Sequence, residues 1–269
     1  MFDCLEIGYQ EDCPYCDLTT ETLNIKGEGV LKFITRENAI ISGTPNLKRF
    51  FESKNLKVIS FKNPCESVKP EDIIFEATGD LKTLFKMWRI CQTYLTVLCA
   101  ITTQTNKLVC EARKVNPDVL IVAASRKTHL GMRREELQAV IDGGAECHRN
   151  SLSDSIMITQ NHLRMIGKLT QKPYSFSHKI ELEPKTEEEA YEYADKTDIM
   201  ILDRFEIDKI TRMVKKLREL NPALKIGIAG QITLENIKNY VSLADFILLS
   251  SVLYAKPLNF TCRIEKLNN

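Results

Sequence analysis

Residues 199–229 read IMILDRFEIDKITRMVKKLRELNPALKIGIA, and this stretch decides the fold. Two short apolar runs, Ile199–Asp203 and Lys225–Ala229, enclose a segment, Asp208–Leu220, whose apolar residues recur at the spacing of an amphipathic helix. Buried strands that alternate with such helices form a parallel sheet with right-handed crossovers. The stretch therefore predicts one strand–helix–strand unit of an α/β fold.

The same alternation extends over residues 116–253. The other predicted strands are Val119–Ala124, Ala145–Arg149, Ile156–Thr159, His178–Glu183 and Phe246–Ser250, and the other predicted helices are Gly131–Ile141, Thr186–Ala194 and Leu234–Val241. Seven strands suit a small α/β barrel, and a doubly wound sheet is the alternative. A doubly wound sheet concentrates its site at one switch point, whereas polar residues here follow nearly every strand, which favours the barrel.

The first 115 residues mix strands and helices without that alternation. Predicted strands cover Gly29–Ile34, Leu56–Phe61 and Asp72–Ala77, a predicted helix covers Pro45–Ser53, and Asp80–Val115 contains neither proline nor glycine. This last segment predicts one long helix or two abutting helices. We therefore expect two domains, 1–115 and 116–253.

Composition excludes several classes of function. The 269 residues carry 37 basic and 36 acidic side chains, so the net charge of +1 provides no field for nucleic acid or an anionic membrane. No window approaches the roughly 18 apolar residues of a membrane span, and the first ten residues do not resemble a signal peptide. We expect a cytoplasmic protein without nucleic-acid or membrane partners.

The nine cysteines are expected to be reduced, and most have apolar neighbours that suggest core positions, as in Val109-Cys110. Cys13 and Cys16 form a CxxC, but no second ligand pair at zinc spacing accompanies them. A turn before a helix capped by Asp17 is the preferred interpretation. Neither the role of this pair nor that of Cys147 follows from the sequence.

Four basic side chains, Arg126, Lys127, His148 and Arg149, follow two adjacent predicted strands. Guanidinium groups bind carboxylate or phosphate in pairs, so the cluster predicts a site for a polyanion. The alternative is a set of solvated loop charges.

Two carboxylates, Glu183 and Asp203, end the next strands, with Glu181 on the same strand face as Glu183. Mg²⁺ binds through one or two carboxylates plus substrate phosphates, so this pair predicts a magnesium site, with an internal salt-bridge ring as the alternative. The last two strands end in Gly230-Gln231 and Ser250-Ser251, small or polar residues that suit phosphate binding through backbone N–H groups. Together these residues predict a site for a phosphorylated sugar with magnesium.

Several motifs, in order along the chain, resemble those of the quinolinate phosphoribosyltransferases (nicotinate-nucleotide pyrophosphorylases), especially the ModD-type pyrophosphorylases. The similar segments are Pro14–Thr20 with GDxTT, Trp88–Thr93 and Cys99–Thr103 with ERTALN…SGIAT, Ser125–Gly131 with TRKTxPG, Gly143–Ala145 and His148-Arg149 with GGG…HR, Glu181–Glu183 with EVE, and Leu202-Asp203 with LDN. Tyr254–Pro257 is the feature most like the ModD branch.

The resemblance implies an amino-terminal α/β sandwich, completed by 254–269, and a seven-stranded α/β barrel that carries the active site. It also implies a homodimer, or a higher oligomer, in which Arg89 reaches the neighbouring subunit's site. The implied reaction joins a ring nitrogen of a pyridine carboxylate to the ribose of phosphoribosyl pyrophosphate and releases pyrophosphate. The implied roles are acid binding for Arg89, Arg126, His148, Arg149 and the position of Thr159, catalysis for Lys127, Glu183 and Asp203, magnesium binding for Glu183 and Asp203, and phosphate binding for Gly230, Gln231, Ser250 and Ser251.

Departures from the family pattern bear on the substrate. Thr159 stands where family members that use quinolinate have a lysine, Trp88 replaces a glutamate and Leu130 replaces a proline. Losing one cation from a site for a dianion costs about 2–5 kcal/mol of binding. We therefore expect a less anionic or differently shaped base than quinolinate.

Three other functions compete with this one. They are authentic quinolinate phosphoribosyl transfer in NAD synthesis, a non-catalytic ligand sensor of the same fold in molybdenum-related metabolism, and a lyase that uses Lys127 as a Schiff base. The retained carboxylates favour an enzyme over a sensor of anions, and Arg126 beside Lys127 disfavours the desolvated lysine that a lyase needs.

Overall fold

The computed structural model describes residues 4–123 and 126–267, so Ala124 of a predicted strand and Ser125 of a predicted motif lie outside the described residues. The chain forms two compact units. The first unit contains residues 1–106, 128–144 and 251–269, and the barrel unit contains 107–127 and 145–250. The predicted domain boundaries, 1–115 with 254–269 and 116–253, stay a prediction. No helix among the described residues is both long enough and apolar enough to span a bilayer.

The elements of the first unit are helices and antiparallel strands. In chain order they are α1 (Cys4–Asp12), α2 (Leu18–Thr22), β1 (Glu28–Thr35), β2 (Ala39–Ile40), α3 (Thr44–Ser53), β3 (Lys57–Phe61), β4 (Ser67–Val68), β5 (Ile73–Asp80), α4 (Leu81–Arg113), α5 (Arg133–Asp142) and β13 (Phe260–Lys266), and α4 continues into the barrel unit. Four strands form a sheet in the order β13-β1-β5-β3. Strand β1 pairs antiparallel with both of its neighbours, so the returning carboxyl end completes this sheet.

An aromatic cluster forms part of the core of this unit. Phe33 and Phe75 point from β1 and β5 to the same side, with ring centroids 6.2 Å apart, and Phe51 of α3 lies 4.9 Å from Phe75. All three are fully buried. Burial of a side chain of this size contributes about 1.5–3 kcal/mol, so the cluster stabilises the packing of α3 on the sheet.

The predicted long segment is a single helix, α4, of 33 residues. Gln92 Nε2 donates to the carbonyl oxygen of Phe260 at 2.6 Å, and this bond holds α4 to β13. Thr102 Oγ1 donates to the carbonyl oxygen of Ala139 at 2.9 Å, which holds α5 to α4. Gly143, just after α5, is necessary for this approach, because a Cβ there would lie 2.6 Å from the Thr105 Cβ.

The barrel unit has seven parallel strands. In chain order its elements are β6 (Leu120–Ala123), β7 (Glu146–Cys147), β8 (Ile156–Ile158), α6 (Gln160–Ile166), β9 (Ile180–Leu182), α7 (Glu187–Glu192), β10 (Ile199–Asp203), α8 (Ile207–Leu220), β11 (Lys225–Ala229) and β12 (Phe246–Leu249). The sheet order is β7-β6-β12-β11-β10-β9-β8. The first strand of the unit therefore pairs with the last, as a barrel requires, and the sheet is open only between β7 and β8. This order confirms the predicted seven-stranded α/β barrel and excludes the doubly wound alternative.

Some predicted elements are wrong. The predicted helix Leu234–Val241 is only a 3₁₀ turn, Ile237–Asn239. Asn236 explains the difference, because its side chain accepts a bond from the Thr233 N–H at 2.7 Å and donates to the Gln231 carbonyl at 3.0 Å. Such local bonds compete with a helix.

The expectation that most cysteines are core residues is also wrong. None of the nine forms a disulfide bond, but only Cys91 and Cys99 are buried, and Cys110 is exposed despite its apolar neighbours. Periodicity decides this, because Cys110 lies on the outer face of α4. The cap at Asp17 is confirmed, since its side chain accepts a bond from the Thr19 N–H at 3.1 Å.

Candidate active site

The two predicted catalytic carboxylates lie at the carboxyl ends of adjacent strands. Asp203 is the last residue of β10, and Glu183 follows β9, where its N–H donates to the Ile158 carbonyl at 3.1 Å. Burial raises the pKa of the half-buried Glu183, and the charge of Asp203 raises it further, whereas the charge of Lys127 lowers it. The pair is therefore close enough for mutual repulsion, which a cation placed between the two carboxylates would relieve.

Lys127 lies at the same end of the sheet. Its Nζ donates to Ser250 Oγ at 3.4 Å. The two residues follow β6 and β12, which are neighbours in the sheet, with Ala123 paired to Leu249. The structure thus brings Lys127, Ser250 and the two carboxylates to one rim of the barrel, although they are far apart in sequence.

A second group lies deeper between the strands and centres on a buried hydrogen-bonded pair of side chains. His148 Nε2 lies 2.7 Å from Glu181 Oε2, and the two side chains are only 8% and 7% exposed. Ser155 Oγ donates to the other Glu181 oxygen at 3.4 Å. His148 Nδ1 is buried without a hydrogen-bond partner. This orphaned atom is a candidate contact for a ligand, because an unsatisfied buried polar atom costs about 1–3 kcal/mol.

The two arginines of the predicted acid site lie near each other. Burial lowers the pKa of Arg149, and the charge of Arg126 lowers it further, whereas Glu181 raises it. Arg149 Nη1 donates only a long bond, 3.4 Å, to the Ser155 carbonyl. Two like charges in a partly buried place favour binding of an anion, so this geometry suits a carboxylate.

Within the described part of the barrel unit, the non-glycine residues with positive φ lie just after strands. Arg126, Arg204 and Gln231 have positive φ values of 59°, 60° and 54°, which cost non-glycine residues free energy and often occur at functional sites. Gly230 has φ 87°, and a Cβ there would lie 2.6 Å from Asp203 Oδ1 and 2.8 Å from the Arg204 nitrogen. Only glycine therefore lets the chain pass this close to the Asp203 carboxylate.

Other predicted site residues have different surroundings. Thr159 precedes α6, where its N–H donates to His162 Nδ1 at 3.0 Å and its Oγ1 lies 2.9 Å from the same atom. Arg89 is exposed on α4 in the first unit, and its guanidinium lies 3.9 Å from the Trp88 ring centroid. Ser251 also belongs to the first unit and begins a 3₁₀ turn. The roles of these three stay predictions.

Three residues of this site, Glu181, Ser155 and Arg204, have no role in the predicted site. Glu181 could have been found, because it shares a strand face with Glu183 and its motif was noted. Ser155 and Arg204 carried no signal, since the bonds of Ser155 with Arg149 and Glu181 and the positive φ of Arg204 are visible only in three dimensions.

The predicted metal ligands are the carboxylates of Glu183 and Asp203. Across residues 4–123 and 126–267, no group of three or more His, Cys, Asp and Glu side chains is arranged to hold a metal ion. Glu183 and Asp203 nevertheless fit Mg²⁺, which binds through one or two carboxylates and completes its shell with water and substrate phosphates.

Family models match almost the whole chain. The model described as "Quinolinate phosphoribosyl transferase, N-terminal domain" matches residues 17–99, and the corresponding "C-terminal domain" model matches residues 101–261. A "Probable nicotinate-nucleotide pyrophosphorylase [carboxylating]" of Archaeoglobus fulgidus is 31% identical over 260 residues, which cover 93% of this chain and 99% of that protein. A "Putative pyrophosphorylase ModD" of Pasteurella multocida is 25% identical over 268 residues, 95% of this chain and 94% of that protein.

Solved structures share the fold. NadC from Streptococcus pyogenes superposes with a TM-score of 0.85 at 23% identity, covering 98% of this chain and 97% of that chain. A nicotinate-nucleotide pyrophosphorylase from Ehrlichia chaffeensis gives a TM-score of 0.88 at 20% identity, covering 97% of each chain.

Proposed function

Because the chain belongs to the quinolinate phosphoribosyl transferase family, we propose that it transfers ribose 5-phosphate from phosphoribosyl pyrophosphate to a ring nitrogen of a heterocyclic carboxylic acid. The N–C1′ bond forms as the C1′–O bond to pyrophosphate breaks, and pyrophosphate leaves with the bonding electrons. The observation that carries this proposal is the pair Glu183 and Asp203, held at strand ends beside Lys127 in a rim that also contains two arginines.

Binding and orientation of the acid are assigned to Arg126, Arg149 and His148. The guanidinium groups offer paired donors to a carboxylate, and Glu181 holds the His148 ring in place through Nε2. This leaves Nδ1, the orphaned atom, as the polar atom of His148 that remains for a ligand.

Stabilisation of the transition state is assigned to the carboxylates. Positive charge develops on the ribose as the leaving group departs, and Glu183 and Asp203 are preorganised to oppose it. When bound to this pair, Mg²⁺ would neutralise the negative charge of the leaving pyrophosphate. Lys127 carries its charge on the same rim and is assigned to the pyrophosphate.

The sugar 5′-phosphate is assigned to the ends of the last two strands. Gly230, Gln231, Ser250 and Ser251 supply backbone N–H groups and hydroxyls there, and the absence of a side chain at Gly230 permits close approach to a phosphate. The left-handed Gln231 contributes its carbonyl to Asn236, which fixes this turn.

The main experiment measures pyrophosphate release from phosphoribosyl pyrophosphate with Mg²⁺, across a panel of pyridine and related heterocyclic acids that includes quinolinate. We expect release with at least one acid, and loss of release in Asp203→Ala and on removal of the metal with EDTA. If no acid in the panel causes pyrophosphate release, although the protein is shown to bind the sugar phosphate, the result would instead support a ligand-binding protein.

The acceptor is proposed to be less anionic than quinolinate, because Thr159 supplies no charge where a lysine is expected. Thr159→Lys should raise kcat/KM for quinolinate by about 30-fold or more, as the missing cation is worth about 2–5 kcal/mol. Thr159→Met, which is also long but uncharged, is the matched control. Lack of any gain with lysine would contradict the proposed acceptor.

A homodimer in which Arg89 reaches the partner subunit's site is also proposed. If this is right, Arg89→Ala and Asp203→Ala are each inactive alone, but mixed subunits regain activity because one of the two sites is intact. Light scattering and a subunit-mixing assay test this. No recovery in a mixture shown to form heterodimers would assign Arg89 to its own subunit.

A further inference from the structure

A cavity of about 570 Å³ lies beneath the rim, entirely within the barrel unit. Its lining includes the first residues of four strands, which are Leu120 of β6, Ile199 of β10, Lys225 of β11 and Phe246 of β12. The cavity therefore extends to the amino ends of the strands, and neither Glu183 nor Asp203 lines it.

The packing of two strands shapes this cavity. A small α/β barrel is normally filled by bulky side chains. Here β11 contributes Gly227, and a Cβ at that position would lie 2.3 Å from the Phe246 ring. The ring thus lies against bare backbone, and it is buried in a core cluster with Val122 and Leu248. Leu120, Val122, Ile199 and the Phe246 ring give the cavity an apolar wall.

The polar end of the cavity belongs to the proposed acid site. His148, Arg149 and Glu181 all line it, and Arg149 is close enough to Arg126 of the rim for the two charges to interact. The residues assigned to the acid thus connect the rim with the apolar wall. An acid held by Arg149 and His148 directs one side toward the rim carboxylates and another side toward Val122 and Ile199.

The cavity is larger than a single-ring acid requires. Cavities of about 300–1,000 Å³ hold drug-sized ligands and bury most of their surface. A pyridine ring with one or two carboxyl groups would leave much of this space, and the apolar wall, without contact. The missing cation at Thr159 also reduces the negative charge that the site accommodates.

We propose that the acceptor is a nitrogen heterocycle with a single carboxylate and an apolar extension, such as a fused second ring, that occupies the cavity. The carboxylate binds Arg149 and His148, the extension contacts Leu120, Val122 and Ile199, and the ring nitrogen faces the rim. This inference rests on the proposed function for the identity of the reaction, but its binding step can be measured alone.

The test compares quinoline-2-carboxylate with pyridine-2-carboxylate by isothermal titration calorimetry, without phosphoribosyl pyrophosphate. A single extra methylene in an apolar pocket is worth about 10-fold or more in discrimination, so we expect the bicyclic acid to bind at least ~10-fold more tightly. Leu120→Trp should fill the cavity, abolish this preference and leave binding of the single-ring acid unchanged.

Leu220→Trp is the matched control. Leu220, at the end of α8, is 46% exposed and Leu120 is 44% exposed, but of these two residues only Leu120 lines the cavity. The control variant should retain the preference. If Leu120→Trp does not fold, Ile199→Phe fills the cavity from a different strand, β10, and is expected to give the same result.

Equal affinity for the two acids, or loss of both acids in Leu120→Trp with an unchanged melting temperature, would overturn the inference. Pyrophosphate release distinguishes this failure from failure of the proposed function. If the single-ring acid is turned over but the bicyclic acid does not bind more tightly, only the inference about the cavity is contradicted. If the bicyclic acid binds more tightly and Leu120→Trp abolishes this difference, but no acid causes pyrophosphate release, the cavity inference is supported and the proposed reaction is contradicted.

Discussion

The two ends of the barrel strands differ in chemistry, although the same seven strands form both. Their carboxyl ends carry Asp203 and lead into Glu183, Lys127 and Gly230, with three non-glycine residues in left-handed conformations nearby. Their amino ends carry mostly apolar first residues, such as Leu120, Ile199 and Phe246. The comparison teaches that the candidate catalytic side chains and the left-handed residues lie at one end of the strands, whereas charges at the other end, such as Lys225 and Asp245, pair with each other. Substitutions at the two ends should therefore affect different properties.

The largest effect is expected at the carboxyl ends. Glu183→Gln removes a charge from the carboxylate pair and should lower kcat by about 10²–10³, the loss typical of one preorganised electrostatic group. The melting temperature should stay the same or rise, because burial and the charge of Asp203 already disfavour the ionised form of Glu183. Steady-state kinetics and thermal unfolding measure the two quantities.

Glu219→Gln is the control for this substitution, because Glu219 lies on α8 with an exposed side chain paired to Lys216. It should change neither quantity. An equal loss of kcat in both variants would show that the net charge of the protein, and not the charge of Glu183 at the rim, controls the rate.

Backbone strain gives the next largest effect. Gly230→Ala and Gly131→Ala both place a side chain at positive φ, 87° and 81°, which costs about 1–2 kcal/mol. A Cβ at Gly131 has no atom within 4 Å, whereas one at Gly230 meets Asp203 and backbone. Gly230→Ala should therefore lose about 1–3 kcal/mol more in urea unfolding, and the KM for phosphoribosyl pyrophosphate should rise. Equal losses would mean that the turn relaxes easily.

The sequence predicted the rim better than the cavity for a physical reason. Alternation of side chains along a strand is local, so the strands Ile199–Asp203 and Lys225–Ala229 and the residues that end them could be located by pattern. The pairing of His148 with Glu181 joins residues on strands that are not adjacent in the sheet, and no local pattern encodes it. The Phe246 ring over Gly227 likewise depends on the register of β11 and β12.

Local hydrogen bonds account for two further features that no sequence pattern indicates. Asn236 replaces a helix with a 3₁₀ turn, and His162 engages Thr159 at the start of α6. Both side chains are compatible with several backbone conformations, so propensity alone does not choose among them. Thr159 was interpreted only as a lost lysine, whereas the structure also gives it a place in the helix cap.

A smaller effect is expected at the amino ends. Gly227→Ala introduces a Cβ that displaces the Phe246 ring, which should cost about 1–3 kcal/mol of stability, as overpacking does. Because one layer of side chains separates Gly227 from the rim, kcat with a single-ring acid should change little. Phe246→Leu in the same chain should recover part of the stability, and a double-mutant cycle measures this coupling. Additive effects would show that the ring is not the neighbour that forces glycine at this position.

The smallest effect concerns Cys147, which lines the cavity. Burial raises the pKa of this thiol, and the charge of Glu146 raises it further, so the reactive thiolate is scarce at pH 8 and increases as the pH approaches the raised pKa. Iodoacetamide should therefore modify Cys147 more slowly than the exposed Cys16 at pH 8, and the difference should narrow at pH 9.5. Mass spectrometry of tryptic peptides gives both rates, and Cys147→Ser identifies the peptide.

Modified protein should bind quinoline-2-carboxylate less tightly but the sugar phosphate equally well, since only the cavity is blocked. Equal weakening of both ligands would mean that the rim and the cavity are not separate, and the contrast between the two strand ends would no longer hold.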